Sequence, residues 1–175
     1  MLHNGRCEVP DASGVLEFVS FEPFSVEAWV RAPDSVDDIF GFIGNWDGAA
    51  GWSLFAFPGS SANGTQPNLE YKRNAAPNII QCSDQTCKVL LDFSDFRHVV
   101  ATYDSGLDAS LYIDGIHILT SPLTNALLST ETNFSVVGPA STTDFVAFDE
   151  VAVYDYALTP AQIQAHFNCG SGNGC

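Results

Sequence analysis

Basic residues are scarce in this chain of 175: six Lys and Arg stand against 21 Asp and Glu, a formal net charge of -15. Such a surface repels phosphate backbones and anionic headgroups, so nucleic acid is not expected as a partner. Long apolar runs are missing too. No stretch approaches the roughly 20 apolar residues of a membrane-spanning helix, and the opening MLHNGRCEVPDASG has no apolar core of a secretory signal. Membrane insertion is therefore not expected. There is no Gly-x-Ser-x-Gly nucleophile elbow, no glycine-rich phosphate loop, no heptad pattern and no internal repeat. The four histidines, His3, His98, His117 and His166, are scattered without metal-ligand spacing, which favours surface or hydrogen-bonded roles for each.

What is present is a single domain of ordinary size. A hydrophobic content of 46% suits a chain that hides roughly 70% of its unfolded surface. Period-two alternation recurs in short runs at 15–19, 24–31, 39–44, 52–57, 68–73, 88–92, 98–103, 110–114, 116–120, 134–137 and 145–154, punctuated by turn residues. Asp114-Gly115 is the clearest hairpin, because a type I′ turn needs positive φ at both central residues. In the run 24–31, Phe24, Val26, Ala28 and Val30 form a core face. Ser25, Glu27, Trp29 and Arg31 form the other, where Arg31 is the simplest partner for Glu27. One buried and one more polar face per strand predicts two packed antiparallel sheets. Residues 59–67 form one long loop, and 169–175 a glycine-rich tail.

Several groups qualify as sites. Strand alternation sends Asp149 and Glu150 to opposite faces and puts Asp149 with Val151 and Val153. A carboxylate on a core face needs a cation or several hydrogen bonds, and calcium, a hard cation, suits carboxylate oxygens; backbone N–H bonds or a place at the sheet rim are the alternatives. Trp46 and Tyr71, with Asn45 and Asp47 as hydrogen-bonding neighbours, offer flat surfaces for sugar rings. Trp46 stands out because Asn45-Trp46-Asp47-Gly48 reads as a loop, whereas Trp29 and Trp52 fit strand cores. Cys82 and Cys87 bracket a hairpin tip, a spacing that favours a disulfide over a zinc pair lacking a second pair of ligands. Five cysteines fit an oxidising compartment, and Asn63 and Asn133 head glycosylation sequons.

The last strand and helix, FDEVAVYDYALTPAQIQAHF (148–167), carry a full set of helix-start signals. Thr159 is an N-cap, Pro160 takes the first helical position, Gln162 completes a capping box, and Leu158 and Ile163 make a hydrophobic staple. With FSVEAWVRAP (24–33) and FRHVVATYDSGLDASLYIDGIHI (96–118), in that order, this ending resembles the laminin-G-like, concanavalin-A-like jelly-roll domains. The resemblance implies an all-β, two-sheet antiparallel jelly-roll sandwich with one short C-terminal helix, with its core at about 15–168. It also implies a structural calcium held by Asp11 and Asp149. Terminal strands that lie side by side would let Cys7 pair with Cys169 or Cys175. Glycosidases of this fold carry a Glu-x-Asp-x-x-Glu strand, which is absent here, so no enzyme is expected. The function implied is an extracellular or cell-surface module for adhesion or recognition of a carbohydrate or glycoprotein surface. The alternative is a structural subunit or decoration of a surface filament, layer or virion, self-assembling through a leftover cysteine.

Overall fold

The computed structural model describes residues 6–10, 14, 16–18, 21–31, 41–47, 49–57, 68–73, 79–82, 95–126, 128, 133–137 and 147–172. The described strands are β1 (Arg6–Val9), β2 (Phe24–Arg31), β3 (Gly41–Gly44), β4 (Trp52–Phe57), β5 (Asn68–Arg73), β6 (Ile79–Cys82), β7 (Arg97–Tyr103), β8 (Asp108–Ile113), β9 (Ile116–Pro122), β10 (Phe134–Val137) and β11 (Ala147–Tyr154). One helix, α1 (Pro160–Gly170), follows. Every pairing is antiparallel, giving a six-stranded sheet in the order β1-β10-β3-β4-β5-β6 and a five-stranded sheet in the order β11-β2-β7-β8-β9. The protein is the expected all-β sandwich with a C-terminal helix.

Alternation decides which side chains meet between the sheets. Phe24, Val26, Ala28 and Val30 of β2 join Val99, Ala101 and Tyr103 of β7 in a core completed from the other sheet by Ile43, Trp52, Leu54 and Tyr71. Phe24 is the hub: its ring stacks on Phe18 with centroids 4.5 Å apart and meets Trp52 at 5.1 Å and Tyr71 at 6.1 Å. Tilted and offset contacts of this kind add to the burial of large rings. The hairpin at Asp114-Gly115 forms as expected, with φ of 51° and 77°, pairing Ile113 with Ile116.

Two sequence expectations need correction. Residues 16–18 are not strand; a turn closed by Glu17 N–H to Gly14 O (3.1 Å) delivers Phe18 to the core instead. Strands β1 and β6, which pair at opposite edges of the six-stranded sheet, lie outside the alternating runs. The run 88–92, the loop 59–67, Asn63, Asp11, Cys87 and Cys175 lie outside the described residues.

Candidate functional site

The outer face of the five-stranded sheet carries Ser25, Glu27 and Trp29 of β2 beside His98 and Val100 of β7, in the register Trp29 to His98 and Glu27 to Val100. These residues would face water if the chain ended at β11. Instead, Thr159 starts α1 with a complete capping box, its Oγ accepting from Gln162 N–H and its own N–H donating to Gln162 Oε1. The helix lies back across that face. Ile163, fully buried, packs with Leu158, Val100 and Tyr112, so the staple also anchors the helix to the sheet. Phe167 stacks on Trp29 at 5.9 Å. Gly170 approaches Trp29 so closely that a Cβ there would collide with the indole, and indole, unlike a long flexible side chain, cannot swing aside cheaply.

Under this helix Glu27 is 7% exposed and its carboxylate collects donors from three elements. Tyr154 Oη–H of β11 donates to Oε1 at 2.6 Å; His98 Nε2 of β7 and His166 Nδ1 of α1 reach Oε2 at 3.3 and 3.0 Å. His98 is buried, and its Nδ1 has no hydrogen-bond partner among the described residues, so the proton that serves the carboxylate belongs on Nε2. Burial by itself would push the Glu27 carboxyl up. The hydrogen bonds from His98, Tyr154 and His166, with the charge of His166, outweigh it and hold the group down at about 2. The Tyr154 hydroxyl moves the opposite way, raised by burial, by its bond to Glu27 and by the nearby negative charge.

Glu27 and Arg31 do not pair as the sequence reading expected. Four residues along a strand separate two side chains by about 13 Å, and the Arg31 guanidinium sits 5.2 Å over the Phe96 ring. The histidines, dispersed in sequence, are what the sequence reading missed: two of the four converge on one carboxylate from positions 71 and 139 residues away. Beside this cluster opens a cleft of about 380 Å³ lined by Glu27, Glu150, Tyr154, His166, Cys169 and Gly170.

Asp149 is not on the core face. Between Asp149 and Ala152 the register of β11 against β2 shifts by a bulge, and Glu150 there has φ of 48°. One extra residue reverses the parity of the strand. Val151 and Val153 pack on the core, while Asp149 is exposed opposite Trp29 and its Oδ1 accepts from Glu150 N–H at 2.9 Å. Among the described residues no group of three or more His, Cys, Asp or Glu side chains is arranged to hold a metal ion. The core-face argument for calcium at Asp149 therefore falls, and Asp11, the other expected ligand, lies outside the described residues.

The four residues expected to bind a sugar do not form one patch. Tyr71 is 1% exposed and belongs to the core, out of reach of a surface ligand. Asn45, also buried, uses its side chain internally, accepting from Trp52 N–H at 3.1 Å and donating to Leu16 O at 3.4 Å. Asp47 is exposed and caps a turn by accepting from Ala49 and Ala50 N–H at 2.8 and 2.7 Å. Trp46, half-buried, meets Phe55 edge to face at 5.7 Å. Trp52 is core, as read from the sequence. Cys82 and Cys169 are each disulfide-bonded and Cys7 is free. A Cys7 pairing is thus excluded, because β1 lies at the edge of one sheet while Cys169 rides on the helix that covers the other.

The laminin-G family model described as the concanavalin A-like lectin/glucanases superfamily matches residues 4–164, nearly the whole chain. The chain belongs to this superfamily. No curated protein sequence gives a significant match. Solved structures similar to this member of the superfamily include the binding domain of Paraclostridial Mosquitocidal Protein 1, at TM-score 0.73 and 17% identity over 97% of this chain and 42% of that one. The botulinum neurotoxin serotype G binding domain follows at TM-score 0.72 and 16% identity, with 97% and 42% covered. The binding domain of botulinum neurotoxin DC, in complex with SialylT, gives TM-score 0.64 and 17% identity, with 85% and 36% covered. The chain thus spans about two fifths of the length of these domains, and at such identities the likeness concerns the jelly-roll fold alone.

Proposed function

We propose that this domain is a non-catalytic recognition module that works outside the cell and binds a carbohydrate or glycoprotein surface. The observation that carries the reading is the state of Glu27. A glycosidase on this fold needs a carboxylic acid poised to give up a proton and a second carboxylate matched to it. Here the carboxylate at the centre of the sheet is held ionised by donors from three elements, which suits a fixed scaffold for binding and not proton transfer. Superfamily membership supports the same reading, as does the likeness in fold to toxin binding domains. A glycan array probed with the purified protein tests it; binding to a defined subset of glycans is expected.

A second reading, a structural subunit that self-assembles, is favoured by one observation. Cys7 is free and exposed on β1, which among the described strands pairs with β10 alone, and an edge strand carrying an exposed thiol is suited to joining copies. Light scattering with and without reductant separates the two readings. Calcium remains a separate proposal resting on the acidic surface and on Asp11. The Cys82 to Cys87 disulfide is likewise proposed, on the bonded state of Cys82 and the hairpin spacing.

A further inference from the structure

We propose that the cleft between α1 and the edge formed by β2 and β11 is the saccharide site, and that it takes a sugar carrying no acidic group. This rests on the recognition reading above and goes beyond it by naming the place and the ligand class. The volume, about 380 Å³, falls within the range of small-molecule sites, roughly 300–1,000 Å³.

Its walls combine the two elements a sugar ring requires. The first is an aromatic step: the lining Tyr154 lies 5.9 Å from the lining His166 between ring centroids, and 5.6 Å on its other side stands Tyr156, 43% exposed, next to the lining but not part of it. The fully buried Ser25 fixes the segment bearing Tyr156, its hydroxyl donating to Tyr156 O at 3.0 Å and accepting from Leu158 N–H at 2.8 Å. An aromatic held in place loses little freedom on binding. The second is a hydrogen-bond acceptor. Glu150 stands in the left-handed region, φ 48°, at the β11 bulge, a conformation costly for a residue with a Cβ and often found where a side chain is re-aimed toward a ligand. Glu150 is exposed and lines the cleft.

Charge sets the class. An ionised carboxylate only accepts hydrogen bonds, so a ligand meeting Glu150 in the cleft supplies hydroxyl or ammonium hydrogens. Two carboxylates facing one cleft on a chain of net charge -15 repel a sialic or sulfated sugar.

The test is a binding titration of the wild type, Tyr156→Ala, Glu150→Gln and Trp46→Ala. The probes are lactose, cellotetraose and chitosan tetrasaccharide as non-acidic sugars, and sialyllactose as the acidic one. Wild type is expected to bind at least one non-acidic probe and to bind sialyllactose more weakly. Tyr156→Ala and Glu150→Gln are each expected to weaken that binding about tenfold or more, with melting midpoints kept, and Trp46→Ala to leave it unchanged. Binding that survives both cleft substitutions, is lost in Trp46→Ala or favours sialyllactose overturns the cleft while leaving recognition standing. No binding to any of the four probes, or to any glycan on the array, overturns both.

Discussion

Glu27 and His166, 139 residues apart in sequence, meet at 3.0 Å, and through that contact the last helix is tied to the second strand. Tyr154 and His98 complete the tie from β11 and β7. One carboxylate therefore joins four elements on the outer face of a sheet whose other face is hydrophobic core. Its chemistry is that of a clamp.

Removing the clamp is expected to be costly. Glu27→Gln keeps the shape but turns half of the acceptor into a donor facing other donors. The expected loss is about 2 to 4 kcal/mol, or a fall in melting midpoint of roughly 5 to 15 °C. Chemical denaturation of the two proteins measures it. A variant as stable as wild type would mean the cluster contributes nothing net.

The clamp also predicts acid sensitivity. Glu27 has its folded value lowered from 4.5 to about 2, so its contribution is fully present above pH 4.5 and is lost as pH falls from there through 2. That difference is worth roughly 3 kcal/mol. Stability of the wild type should drop across this window with a steeper slope than that of Glu27→Gln, followed by denaturant midpoints between pH 2 and 6. Parallel slopes would contradict the assignment.

What was legible in the sequence follows from what is local. Strand β2 runs from Phe24 to Arg31 as its alternation indicates, the Asp114-Gly115 turn has the required positive φ values, and Thr159, Pro160 and Gln162 start the helix where their capping chemistry places it. The site was less legible because it is non-local. A bulge in β11 moves Asp149 off the core face, and no residue type in FDEV announces it. Glu27 finds its partners across the sheet and from the helix, so neither the spacing of the histidines nor the nearness of Arg31 in sequence describes its surroundings. Tyr71 looked available because alternation shows that one face is buried without showing which.

Thiol chemistry gives a third expectation. Peptide mapping of natively produced protein without reduction should show a Cys82 to Cys87 linked fragment and an alkylated Cys7. Alkylation of Cys82 and Cys87 in untreated protein would reject the disulfide.

Calcium is tested by melting. If Asp11 and further groups of the acidic surface hold the ion, the midpoint rises with added calcium and falls with chelator, because a ligand that binds only the folded state stabilises it. An unchanged midpoint in both conditions removes calcium from the account.

The most direct test of the central claim is a glycan array probed with the wild-type protein while light scattering records its mass. A recognition module is predicted to be a defined small species that binds a subset of non-acidic glycans. A protein that binds no glycan on the array and assembles into ordered polymers would contradict the account and establish the structural role.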